Sequence, residues 1–468
     1  MTHESDETDL LIVGAGPTGL AAAVDALRYG TSVRIVERRA ERAEYSKALV
    51  VHARTMEVFE RLGCAQAVLS AGAKFRALHV HTIPRRKRTR VDLLDRRWGD
   101  TRYPFWLSVP QYEVERALEG RLAEMLARTQ SNHGPVVEWS TELVALDQRE
   151  SHVIASVRGP DGVVREHRAR WVLGCDGGRS TTRELIGVSM KRADLGVTFA
   201  LADVHTDSEL AGDEGHVVMA DEGLLLIVPM PAEGVWRLIA QVDSAGPELD
   251  ASRWNELVTR RSGIDLRVRS MGWSSRFQLT SGVSDALRRR RVFLLGDAAH
   301  VHSPVGGQGL NTGVQDAHNL LWKIALADSE KLSPTQREAL LDSYASERHA
   351  VAEAMVRGTE RMTRVLTGRS RFAFGALRRV APFALKIDRV MDQLGRGVGM
   401  LDLRTGGRRL ANPELAPGVR LHDRVTALFP TLLRWNGRSL LVRPDLVVAE
   451  PGSLPHQSEV TVTEAGSV

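Results

Sequence analysis

The segment DLLIVGAGPTGLAAAVDALRYGTSVRIVER, Asp9 to Arg38, constrains the fold more than any other part of the chain. An apolar run, Leu10 to Val13, stops at Gly14-Ala15-Gly16-Pro17-Thr18-Gly19. An alanine-rich helical pattern follows, and a second apolar run, Val33 to Val36, ends in Glu37. Strand, glycine turn, helix and strand make a βαβ unit. The first glycine permits the tight turn, the second lets backbone approach a pyrophosphate, and the third lets helix and sheet pack closely, with the helix N-terminus facing the phosphates. Glu37 follows Gly14 by 23 residues, where a carboxylate accepts hydrogen bonds from the ribose hydroxyls of an adenosine. GxGxxG alone is a weak signal. With the strand before it, the helix after it and the acid in place, it predicts dinucleotide binding, because a ligand-free βα turn leaves Glu37 unexplained. The motif does not choose between NAD and FAD.

Two later segments each end an apolar run in an aspartate. RWVLGCDGGRSTTRELIG, Arg170 to Gly187, reaches Asp176-Gly177 and then enters a helix through Arg179, Ser180 and Arg183. RRVFLLGDAAH places Val292 to Leu295 before Gly296-Asp297. Both aspartates fall at the carboxyl ends of buried strands, where ligands gather in an open α/β sheet. The three motifs, in order between about Asp9 and Glu353, resemble those of the group A FAD-dependent aromatic hydroxylases that share the p-hydroxybenzoate hydroxylase fold, nearest in style to bacterial polyketide and phenol hydroxylases. That resemblance implies non-covalent FAD. Gly14, Gly16, Pro17, Thr18, Gly19, Glu37 and Arg38 would hold its ADP half, Asp176 would serve the FAD site, and Asp297 would bond the ribityl chain. It also implies cofactor contacts from Gln111, in TRYPFWLSVPQYEVERAL, and from Lys47 and Arg54, in SKALVVHARTMEVF. Lys47 stands where the family carries an arginine, so a point charge replaces a bidentate fork.

GDAAHVHSPVGGQGLNTGVQDA, Gly296 to Ala317, reads as a site for a flat ring. His300 and His302 lack a third ligand cluster at metal-binding spacing, so no metal is expected. A Pro304-to-Gly309 turn brings backbone N–H groups against a ligand edge, because glycine has no Cβ to hold it off. Leu310 opens a helix with Val314, Ala317, Leu321 and Ile324 on one apolar face. Its N-terminus carries partial positive charge and free N–H donors, which favour the anionic reduced flavin. The resemblance implies that Pro304 lies beside the flavin C4a/N5 edge, that Gly307 and Gly309 meet the ring, and that Leu310 and Asn311 touch its pyrimidine end.

The expected fold class is α/β: a discontinuous Rossmann-like FAD-binding domain (1–75, 109–185 and 286–370), an antiparallel-sheet substrate domain (76–108 and 186–285) and a C-terminal part (371–468). Within the substrate domain, Trp273, Arg276 and Phe277 are candidates for the pocket or its hinge, and Trp273 and Phe277 read equally as core. The C-terminal part carries helical sequence and, by resemblance, a shortened thioredoxin-like remnant ending in Leu441-Val-Arg-Pro-Asp445. About twenty residues separate that motif from its entrance, against roughly 100 for a whole domain.

The 468 residues, 43% of them hydrophobic, suffice for two or three packed units. A net charge of +5 and the basic run Pro84 to Arg90, without interleaved aromatics, read as a solvated surface with a loop or edge hairpin rather than a nucleic-acid face. Two cysteines outside any CxxC, an acidic N-terminus and no apolar run near the roughly 20 residues of a membrane span point to the cytoplasm with no membrane partner. No second complete βαβ motif is present, so NADPH or NADH is expected to bind transiently as co-substrate. The expectation is therefore a monooxygenase that hydroxylates a phenolic or polycyclic metabolite with O2 through a C4a-hydroperoxyflavin, as a monomer or homodimer. Baeyer–Villiger oxygenation or epoxidation by the same fold is the enzymatic alternative. A non-catalytic FAD-binding redox sensor or assembly protein is the alternative of another class.

Overall fold

The computed structural model describes residues 7–45, 48–82, 87–94, 98, 100–128, 136–303, 306–329, 331–368, 371–403, 408–409, 414–416, 419–420, 428, 430–435, 438–449 and 458–462. Its first sheet assembles the three motifs. Strand Glu7–Val13 lies between Val33–Val36 and Val164–Gly174, parallel to both, and Val292–Leu294 joins Val164–Gly174, again in parallel. Gly14, Cys175-Asp176 and Gly296-Asp297 thus leave neighbouring strands at the same edge. The spacing is tight: a Cβ on Gly14, whose φ is +106°, would lie 2.4 Å from the Cys175 carbonyl oxygen, and one on Gly19 would lie 2.0 Å from the Gly14 oxygen. Thr18 fills the gap between the first and third motifs, since Cβ atoms on Gly296 and Gly313 would lie 2.7 and 2.2 Å from its Oγ1.

A second sheet of eight strands runs in the order His300–Val301, Val268–Val283, Ala193–Thr206, Val235–Val242, Gly223–Pro229, Glu214–Ala220, Ala77–Thr82, Lys87–Asp92. It is antiparallel as expected except at one pair: Ala77–Thr82 runs parallel to Glu214–Ala220, because it comes from a distant chain segment and enters from the opposite end. Residues 87–90 of the basic run lie on the edge strand of this sheet, and 84–86 lie outside the described residues. Helix Ala251–Ser262 covers one face through Trp254, Leu257 and Val258. The two sheets meet through the third motif, where Val301 pairs with Gly282.

Helix Gly309–Asp328 is buried on nearly every side, not only along its apolar face. Val314, Ala317, Leu321 and Ile324 do face the core, but Asp316, His318 and Lys323 are buried too. Each polar group has a partner across the packing: Asp316 with Arg348 and His300, His318 with Asp25, and Lys323 with Glu347. Helix Pro334–Leu366, opened by a capping box from Ser333 to Gln336, supplies Glu347 and Arg348. The LVRPD segment closes the same cluster. Arg443 reaches Glu347 at 2.8 Å, and Asp445 accepts from Asn319 at 3.0 Å. Among the described residues no helix is long and apolar enough to cross a membrane.

Candidate active site

One cavity of about 1240 Å³ joins the edge of the first sheet to the face of the second. At its polar end lie Gly14, Gly16, Pro17 and Thr18 of the glycine turn, with Glu37 and Arg38 beyond them. A Cβ on Gly16 would meet nothing within 4 Å, so bare backbone faces open space where a phosphate can approach. The Glu37 carboxylate is held by four hydrogen bonds from Ala15 and Arg39, the longest from Arg39 Nη2 to Oε2 at 3.4 Å. Its Oε2 accepts from the Ala15 N–H at 2.9 Å, and Oε1 accepts from the Arg39 N–H and Nε, both at 3.0 Å. Burial raises its pKa, but the hydrogen bonds from Arg39 and Ala15 outweigh that and hold the carboxyl below its ordinary range.

In the middle stand two aspartates with different surroundings. Asp176 is spent on the chain itself, accepting from Thr182 N–H at 2.8 Å, Thr182 Oγ1 at 2.9 Å and Ser180 Oγ at 2.5 Å. Asp297 is exposed to the cavity although Gly296 and Ala298 beside it are buried, so its oxygens are available to a ligand. The glycine loop follows. Gly306 and Gly307 adopt φ of +90° and +64°, a left-handed region that favours glycine, and with Gly309 and Leu310 they line the wall. His52 donates from Nε2 to the Gly306 carbonyl at 2.7 Å, and burial pushes its pKa down to about 4, so it is a neutral brace for this loop.

Beyond the loop the cavity becomes an apolar chamber. Alternate residues of the second sheet form one wall, including Leu78, Val80, Phe199, Leu201, Met219 and Leu226, with Phe75 and Trp106 at the side. Helices Pro334–Leu366, Arg371–Ala384 and Asp388–Val398 close it with Val365, Leu366, Leu377, Ala381 and Leu394. Sequence reasoning missed this wall, although the period-two alternation along 217–228 carries its signal.

Several expectations need correction. Arg54 does not line the cavity. Its guanidinium pairs with Glu57 at 2.9 Å and donates to the Asp445 carbonyl at 2.5 Å, because the C-terminal segment packs where the side chain points. The side chain of Asn311 is likewise engaged internally, accepting from the His52 N–H at 2.9 Å and donating to the Val50 and Gly307 carbonyls at 2.9 and 2.8 Å. Gly19 packs closely, as the third glycine of the motif should, and does not line the cavity. Gln111 lines the cavity and donates to Glu115 at 2.8 Å. Of the three substrate candidates only Phe277 reaches the chamber. Trp273 is half-buried elsewhere, stacked on Tyr45 with ring centroids 5.9 Å apart, and Arg276 donates to the carbonyls of Gly246 and Pro247. Lys47 and Pro304 lie outside the described residues.

An elongated ligand with a nucleotide at one end and a flat ring at the other fits this sequence of bare backbone, ribose acid, open aspartate and glycine loop. The family description "FAD binding domain" matches residues 7–359, three quarters of the chain. The chain belongs to this family. Among its relatives, the 6-methylpretetramide 4-monooxygenase of Streptomyces rimosus is 36% identical over 378 residues, covering 80% of this chain and 65% of that enzyme, so this chain spans just under two thirds of that relative's length. The pentachlorophenol 4-monooxygenase of Sphingobium chlorophenolicum is 32% identical over 451 residues, covering 92% of this chain and 80% of that enzyme. Among solved structures, the OxyS anhydrotetracycline hydroxylase from Streptomyces rimosus superposes with a TM-score of 0.74 at 27% identity, covering 95% of each chain. The flavoprotein's fold class and its FAD cofactor therefore stand as the motifs implied, as does its likeness to aromatic and polyketide hydroxylases.

Proposed function

We propose that this flavoprotein is an NAD(P)H-dependent monooxygenase that adds one oxygen atom of O2 to a phenolic or polycyclic aromatic substrate. The observation that carries this reading is the continuity of the cavity: the nucleotide-shaped end opens, past the glycine loop, directly into a chamber walled by apolar side chains. FAD, when bound, supplies the two-electron and dioxygen chemistry. The chain does the rest. Backbone at Gly14 and Gly16 admits the pyrophosphate, Glu37 takes the ribose and Asp297 takes the ribityl chain. The N-terminus of helix Gly309–Asp328 offers N–H donors and partial positive charge to the pyrimidine edge. The apolar walls exclude water and hold a flat substrate beside the ring. On this reading residues 1–75, 109–185 and 286–370 hold the cofactor, and 76–108 and 186–285 hold the substrate. NADPH or NADH binds transiently, since the chain has no second complete βαβ motif. The relatives named as monooxygenases of 6-methylpretetramide, pentachlorophenol and anhydrotetracycline support an aromatic substrate. The two buried, unbridged cysteines suit a reducing compartment, in keeping with the cytoplasm.

The deciding experiment follows NAD(P)H loss across a panel of phenols and polycyclic phenols under labelled O2. One heavy oxygen atom is expected in a hydroxylated product and the other in water. An ester oxygen inserted beside a ketone would place the protein among Baeyer–Villiger enzymes, and label arriving from water would end the monooxygenase reading. NAD(P)H oxidation indifferent to every substrate would favour a redox sensor.

Glu37→Ala tests the nucleotide end by itself. A charge-assisted hydrogen bond to a ribose is worth about 1.5–3 kcal/mol, so FAD should bind roughly ten- to a hundredfold more weakly. Flavin fluorescence released on ultrafiltration reads this directly. Undiminished retention would remove Glu37 from the site.

A further inference from the structure

Eleven large apolar residues are exposed among the described residues, and five of them fall between Val380 and Leu394. Val380, Phe383, Ile387, Val390 and Leu394 follow one another at steps of three and four, and each is between 38% and 65% exposed. They form an outward stripe along helices Arg371–Ala384 and Asp388–Val398. A stripe of this size on a protein surface marks a contact with something apolar. Its borders are cationic. Arg378 pairs with Asp221, and Arg396 with Asp100 and Asp402, whereas the exposed Arg379, Lys386 and Arg389 meet no carboxylate among the described residues. The helical pair from 371 to 398 carries six cationic residues against Asp388 and Asp392.

The inner face of the same helical pair lines the cavity through Leu377, Ala381, Leu385 and Val398. Leu394 belongs to both faces, lining the cavity while remaining 38% exposed, so the stripe adjoins the wall of the chamber. An apolar stripe flanked by free cations suits an anionic lipid surface, with side chains entering the headgroup boundary and ammonium and guanidinium groups among the phosphates. A second copy of the chain fits less well, because a twofold contact would bring the two cationic borders together.

We propose that the Arg371–Val398 helical pair docks on an anionic bilayer surface through the Val380–Leu394 stripe and its flanking cations, placing this wall of the cavity against the membrane. Apolar polycyclic substrates partition into bilayers, so such docking would feed the chamber from the lipid. That substrate clause rests on the monooxygenase reading; the docking does not. Docking of this kind lies on the surface and needs no membrane-spanning segment.

The test uses the full-length FAD-loaded protein, sedimented with vesicles of phosphatidylcholine containing phosphatidylglycerol and with vesicles of phosphatidylcholine alone. Binding is expected to the anionic vesicles and to fall as salt rises. The triple variant Arg379→Gln, Lys386→Gln, Arg389→Gln should bind about a hundredfold more weakly, and Val380→Ser with Ile387→Ser about tenfold or more. Both variants should keep the parent's FAD content and its NAD(P)H oxidation in vesicle-free buffer, which separates lost docking from lost folding. Failure of the parent to bind anionic vesicles, or equal binding by the variants, would overturn the proposal. So would a parent that sediments as a dimer and is split into monomers by the Val380/Ile387 variant, since the stripe would then be a subunit interface.

Discussion

Asp316→Ala is expected to lower the free energy of unfolding by about 3–5 kcal/mol, because it strands a buried cation. Asp316 is fully buried, and its two oxygens accept from Arg348 Nε at 2.5 Å, His300 Nε2 at 2.7 Å and the Gly296 N–H at 2.9 Å. Arg348 is only 1% exposed, and without Asp316 its remaining described contact is the Thr312 carbonyl at 3.3 Å. The loss would reach the site as well, since Gly296 N–H fixes the turn that presents Asp297. Burial works against the charge on Asp316, yet Arg348 and His300 hold its pKa down at about 2, below the ordinary 3.8. A carboxyl depressed in the folded state contributes stability that is fully present above its unfolded value and is lost as pH falls through its folded value. The parent should therefore lose stability between about pH 4 and pH 2, and Asp316→Ala should show a shallower loss in that window. Denaturant unfolding as a function of pH measures both effects. Equal stability of variant and parent at neutral pH would mean that Arg348 finds another partner or reaches water.

Gly309→Asp is expected to leave a folded, FAD-containing protein whose flavin is harder to reduce. The position has room: a Cβ there would find His302 Cε1 at 3.8 Å and Asp297 Oδ1 at 3.9 Å, both ordinary contacts, and Gly309 is not among the glycines with positive φ. Folding should survive. The new carboxylate, however, sits at the N-terminus of a 20-residue helix, opposing the partial positive charge that favours an anionic reduced ring, and stands next to Asp297. A charge at a helix terminus is worth about 0.3–2 kcal/mol, which for two electrons lowers the reduction potential by roughly 10–40 mV. The ADP half is held some distance away at Gly14 to Glu37, so FAD retention should change less than the potential. Spectroscopic titration of bound flavin against a reference dye reads the shift. An unchanged potential would remove the helix N-terminus from the ring site.

The nucleotide end was legible because its requirements are local. Gly14 needs its positive φ, Gly16 its bare backbone and Gly19 its close packing within one βαβ unit, and Glu37 follows at the length of one helix and one strand. Conformation over some thirty residues settles all of these, so residue type and spacing along the chain suffice. The loop before helix Gly309–Asp328 was legible in part: Gly307 and Gly309 line the cavity, while the Asn311 side chain is bonded to the protein, which its sequence position did not reveal.

Residue type and spacing therefore carried the FAD-binding α/β fold class, the three motif strands and the place of Glu37 on the cavity. Only the tertiary structure decided the shape of the chamber, because which face of strands 214–229 meets the cavity depends on the helices packed across it. It also turned Arg54 toward Glu57 and Asp445 and paired Asp316 with Arg348, Lys323 with Glu347 and His318 with Asp25. Partners brought together from separate elements leave no periodic trace in the chain. Their positions follow from the need to neutralise charge wherever packing has excluded water.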